Sequence, residues 1–139
     1  MYTLYNIHPL LIHFPIALLA VGLVLDFAGV FFRRNDLISA GWYNLQFAVA
    51  AVIFSIASGL LADTRYGSLQ EPFPLHTAHG PLMLLVGLMT IILMLIRFNN
   101  KGAYPQNRNR RLAILAGQLL LVALLFWGAH LGAVLGDGL

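Results

Sequence analysis

Four stretches of the chain, residues 9–32, 41–62, 80–96 and 112–136, run for 17 to 25 residues each with one charged side chain among them all, Asp26. At 1.5 Å of helix per residue, runs of this length cover the ~30 Å hydrocarbon core of a bilayer. Little is left over for anything else. Only 9% of residues are charged and 60% are hydrophobic, where soluble domains carry about a quarter charged residues. A soluble enzyme, a nucleic-acid module and a disordered tail are excluded as readings. The 139 residues read as one all-α transmembrane domain: an integral membrane four-helix bundle with helices at about 9–32, 41–62, 79–97 and 111–135.

Charge placement predicts orientation. Arg33 and Arg34 fall in the first connection, and Arg97, Lys101, Arg108, Arg110 and Arg111 in or at the edges of the third. The second carries Arg65 beside Asp63 and Glu71. The positive-inside rule puts connections one and three in the cytoplasm and both termini outside. Topology thus accounts for the net charge of +3 without nucleic acid. The basic loop can also touch anionic lipid headgroups. No Lys or Arg precedes the first apolar run, which is also too long for a signal-peptide core, so it reads as a retained helix. Trp42, Tyr43, Tyr66 and Tyr104 read as interfacial anchors.

The two halves resemble one another. His13-Phe14-Pro15-Ile16-Ala17-Leu18-Leu19 aligns with His79-Gly80-Pro81-Leu82-Met83-Leu84-Leu85, and a further histidine precedes each, His8 and His76. The pattern describes two helical hairpins related by a pseudo-twofold axis along the membrane normal. Proline in a first turn costs little, whereas deeper in a helix it frees the carbonyl four residues back. The first helix is expected to start at Pro9 and kink near Pro15.

All five histidines fall on one side of the membrane. His13 lies 20 residues from Arg33, His79 18 from Arg97 and His130 19 from Arg111, which sets the three about 27–30 Å from the cytoplasmic boundary. His8 and His76 come out at that depth or beyond. A lone histidine there is as readily a helix cap, or a partner for a carbonyl freed by Pro15 or Pro81. Three on one level favour joint ligation, because imidazole is the commonest metal ligand and an axial ligand of b-type haem. With no cysteine in the chain, a disulfide, a thiolate zinc site, covalent haem c and a cysteine-held iron–sulfur cluster are excluded. His13 and His79 are the natural symmetric pair, and His130 a third ligand, an alternative ligand or a donor to a propionate. Three imidazoles would also suit copper or zinc.

Small residues supply room. Gly128, Gly132 and Gly136 form a tandem GxxxG stripe, with Ser55, Ser58 and Gly59 on the second helix; the stripe's usual role is close helix packing. His130 points away from it. Near the other end, Asp26, Gln118 and Gln46 are expected to meet about 10 Å inside the boundary, as a polar clasp with Asp26 bonded to an amide.

The opening His8-Pro9-Leu10-Leu11-Ile12-His13-Phe14-Pro15-Ile16-Ala17-Leu18 resembles the hallmark of the bacterial membrane-protein family known as domain of unknown function 2231. So do the histidine at the start of the third helix, within His76-Thr77-Ala78-His79-Gly80, and the glycine-rich last segment. The resemblance implies four helices in a bacterial inner membrane, with His8, His13 and His79 as motif histidines. It implies a redox or haem-linked role, since relatives occur joined to Rieske-type or cytochrome c modules, and that His130 substitutes for a histidine some longer relatives carry near the C-terminus. The expectation is therefore a haem b electron carrier serving a periplasmic cytochrome or a larger respiratory or photosynthetic complex. A cofactor-free accessory subunit and histidine-based copper or zinc binding are the alternatives.

Overall fold

The computed structural model describes residues 8–66 and 79–137, without the side chains of residues 9, 62–66 and 135–137. Five helices follow one another: α1 (His8–Leu11), α2 (His13–Phe31), α3 (Asn35–Tyr66), α4 (His79–Asn99) and α5 (Arg108–Asp137). The last four are each long and apolar enough to cross a membrane. α2 packs on α3, α3 on α4, α4 on α5 and α5 back on α2, and among the described residues the backbones of the diagonal pairs stay apart. That closed ring of antiparallel neighbours is the expected four-helix bundle. Exchanging the α2/α3 hairpin for the α4/α5 hairpin leaves its contact pattern unchanged, as a pseudo-twofold axis requires.

The first helix loses its regular bonding at Ile12, close to the expected kink, although the Ile12 backbone stays right-handed helical. Pro15 has no N–H for the carbonyl of Leu11, four residues earlier. The single turn α1 therefore closes on the His8 carbonyl through Ile12 N–H at 3.1 Å, and α2 starts afresh at His13. Pro15 then sits in the first turn of α2, where the missing donor is harmless.

Two helices begin earlier than the apolar runs do. α3 starts at Asn35 instead of 41, leaving a turn of only three residues after α2. Residues 35–40 contain no helix breaker, and Asp36 sits in the first turn, where the helix dipole favours a carboxylate. Arg34 also grips Asp36 in a two-pronged, exposed pair at 2.8 and 2.6 Å. α5 starts at Arg108 instead of 111, because the Asn107 side chain accepts from Arg110 N–H at 3.1 Å and caps the helix.

α2 and α4 end alike. Arg34 N–H donates to Gly29 O and Gly102 N–H to Arg97 O, both at 2.8 Å, the six-to-one closure of a Schellman motif. The left-handed residue in each is a cation, Arg33 and Lys101, both at φ 54. Gly102 follows at φ 80, and a Cβ there would stand 2.7 Å from the Trp42 ring, so both backbone and space demand glycine.

Leu19 of α2, Leu45, Ala48 and Val52 of α3, Val86 and Leu93 of α4, and Leu121, Val122 and Leu125 of α5 form the core. Outward-facing Val24, Phe47, Phe54, Leu95 and Leu120 are exposed, which in water would be an aggregation surface and in lipid is the expected lining.

Candidate functional site

Two polar centres occupy opposite ends of the bundle. The deeper one is built around Asp26, 1% exposed, and Arg97, 0% exposed. Arg97 Nη1 donates to both carboxylate oxygens of Asp26 at 2.8 Å. Nη2 donates to Ile38 O at 2.9 Å and Gly102 O at 2.7 Å, and Nε to Gly102 O at 3.0 Å. Every nitrogen of the guanidinium therefore has an acceptor. Gln118 Nε2 donates to Asp26 Oδ2 at 3.0 Å and its Oε1 accepts from Tyr104 Oη at 2.9 Å. The guanidinium also lies over the Tyr104 ring, 4.5 Å from its centroid. Burial, and then the Asp26 charge, push the Tyr104 phenol above its ordinary range, so it remains a donor.

The expected pairing of Asp26 with Gln118 is present. Gln46 is instead exposed on α3, and Tyr104 is a buried member of the clasp rather than an interfacial anchor. Tyr43 is exposed, as an anchor should be, and the side chain of Tyr66 lies outside the described residues. Arg97, read from the sequence as a loop charge that fixes topology, is the counter-ion of Asp26. A deep carboxylate needs a partner, and Arg97 stands in the last turn of α4 rather than in the loop. That was the available signal.

Gly41 holds the clasp closed. A methyl there would stand 2.9 Å from the Asp26 carboxylate carbon, which the ion pair keeps from moving. Gly41→Ala is expected to cost about 1–3 kcal/mol by overpacking. Gly117→Ala, with nothing within 4 Å, should be neutral or stabilise by up to about 1 kcal/mol through helix propensity. Equilibrium unfolding in detergent micelles compares the two, and equal effects would remove this role for Gly41.

The other centre is histidine. His79, at the first position of α4, sits against Gly132 of α5, and its Nδ1 lies 2.7 Å from Gly128 O. A carbonyl only accepts, so Nδ1 carries the hydrogen and, in the neutral ring, Nε2 carries the lone pair. His8 on α1 repeats the arrangement against α3. Its ring lies over Gly59, and its Nδ1 is 2.8 Å from Ser58 Oγ. That hydroxyl spends its own proton on Ser55 O at 2.8 Å, so it accepts from His8 Nδ1–H. Both rings are thus set in the tautomer that leaves Nε2 available. Burial, and then the neighbouring His79, hold the His8 imidazole below its ordinary range, which favours the neutral form.

Sequence alignment matched His79 with His13, but the environment of His79 is the one His8 has. Ser55 and Gly59 stand in the first hairpin where Gly128 and Gly132 stand in the second, each pair four residues apart. The glycine stripe therefore serves close packing, as expected, and part of what it admits is an imidazole. His13 is exposed on α2. His130 is exposed on α5, its ring 5.9 Å from that of Trp127. His76 lies outside the described residues. Among the described residues no three of His, Asp and Glu come close enough to hold a metal ion; His79 is near enough to His8 for its charge to act on that ring.

Four apolar helices closed around a buried ion pair, with hydrocarbon on their outer faces, define an integral membrane protein. The chain belongs to the family described as Predicted membrane protein (DUF2231), which matches it over residues 4–137. No curated protein and no solved structure matches it.

Proposed function

We propose that the protein is a membrane electron carrier that holds b-type haem between His8 and His79. The observation that supports this reading most is the matched pair of imidazoles. Each is fixed through Nδ1–H to an oxygen of a neighbouring helix, and each bears its lone pair on Nε2, which is how ligating histidines are oriented by their surroundings. Two such donors would suffice to hold haem, whereas zinc takes three or four protein ligands. Haem bound there would supply one-electron exchange. The protein's part is to fix the ring orientations and to keep His8 neutral.

The remaining histidines take other roles in this reading. His13 and His130, on exposed faces, contribute to contact with a partner or to a propionate. The basic connections face the cytoplasm of a bacterial inner membrane and the histidine end faces the periplasm. A centre near that face suits exchange with a periplasmic cytochrome or with a larger respiratory or photosynthetic complex.

Spectra of the detergent-purified protein, oxidised and dithionite-reduced, test the proposal alongside metal analysis. A Soret band with sharp reduced α and β bands is the expected result. Colourless protein with stoichiometric copper or zinc would replace haem by a bare ion. Neither signal, with stable copurification of partner proteins, would favour a cofactor-free accessory subunit.

A further inference from the structure

A cleft of about 620 Å³ opens at the end of the bundle opposite the histidines, between the α2–α3 turn and the α4–α5 loop. Arg33, Lys101 and Arg111 line it, and no carboxylate does. The nearest acids are already committed: Asp36 to Arg34, and Asp26 to Arg97. The cations of the cleft are not. Among the described residues, Arg111 Nε is a buried donor without a hydrogen-bond partner, an arrangement that costs free energy unless something accepts from it.

The backbone adds a second, independent argument. Arg33 and Lys101 occupy the left-handed position that ends α2 and α4, where glycine, or sometimes asparagine, is the preferred residue. A long cation at both places works against stability. It also brings the ends of both hairpins to one cleft with a positive side chain each. Trp42 and Tyr43 form part of the wall, as aromatic side chains do at headgroup depth.

We propose that this cleft binds a phosphate group, with Arg33, Lys101 and Arg111 as its recognition residues. An anionic lipid headgroup and a soluble phosphate present the same oxygens, and an experiment separates them. Native mass spectrometry of the intact protein in mixed micelles reads retention of phosphatidylglycerol against phosphatidylcholine, and a parallel series adds inorganic phosphate without anionic lipid.

Retention of phosphatidylglycerol about tenfold over phosphatidylcholine is expected, with about a fivefold loss for each cation removed. Arg33→Gly and Lys101→Gly are the informative variants, because glycine suits the left-handed backbone. Their unfolding midpoints, measured without anionic lipid, should hold or rise while lipid retention falls. Arg108→Gln and Arg110→Gln, on the exposed first turn of α5 outside the cleft, should retain lipid as the parent does. If inorganic phosphate binds as strongly, with the same dependence on Arg33 and Lys101, the site stands and its ligand is a soluble anion. Equal retention of both lipids with no phosphate binding would overturn the proposal. So would unchanged binding in both glycine variants, or equal losses from Arg108→Gln and Arg110→Gln.

Discussion

Arg97→Met is expected to destabilise the bundle by about 3–5 kcal/mol, and Asp26→Leu by a similar amount, because each leaves one buried charge without its counter-ion. The double variant Asp26→Leu/Arg97→Met should lie much closer to the parent. Replacing both partners removes the desolvation cost of the pair together with its attraction, a trade that is often neutral. Arg97 carries more than the ion pair, however. Its protons also satisfy Ile38 O and Gly102 O, which tie the α3 start and the α4–α5 loop to the cluster. Full recovery is therefore not expected, since Gly102 O would lose both of its Arg97 donors, at about 1–3 kcal/mol if left dry. Unfolding curves for the three variants in one detergent give the coupling directly. Additive losses would mean that Asp26 and Arg97 do not act as a pair.

Removing either centrally placed imidazole is the second large effect. On the haem reading, His8→Ala and His79→Ala should each reduce bound haem at least tenfold, because one of the two residues that would hold it disappears with its orienting hydrogen bond. His13→Ala and His130→Ala should keep most of it. Ser58→Ala separates orientation from ligation: His8 remains, but its Nδ1–H loses the acceptor that fixes the ring. Loss of a hydrogen bond that orients a ligand weakens metal sites about 10- to 100-fold, so a partly loaded protein with a shifted reduced spectrum is expected. Pyridine haemochrome quantification of each variant decides. Equal loading of the His8 and His13 variants would withdraw His8 from the site.

Hydropathy made the membrane class and the four spans legible, because each depends on runs and counts along the chain. The Asp26–Gln118 contact was legible for the same reason: both residues lie seven positions from a charged boundary. Arg97 was not. At the edge of an apolar run a cation looks the same whether it points out to headgroups or in to a carboxylate, and only packing distinguishes the two. Tyr104 failed likewise, since a loop tyrosine folded back into the bundle has the sequence context of an anchor. For the histidines, local similarity favoured His13-Phe14-Pro15 as the counterpart of His79-Gly80-Pro81. What pairs His79 with His8 is the spacing of small residues on the opposing helices, a relation between distant segments that no single stretch contains.

The ion pair joins residues 71 positions apart, one in each hairpin, and this orders events during synthesis. When α2 enters the bilayer, α4 has yet to be made, and an unpaired carboxylate in a helix centre opposes insertion by about 2.5–3.5 kcal/mol. The nascent first hairpin must hold Asp26 near water until Arg97 arrives. A chain truncated before α4 should for that reason insert poorly and be cleared, so that only complete bundles persist.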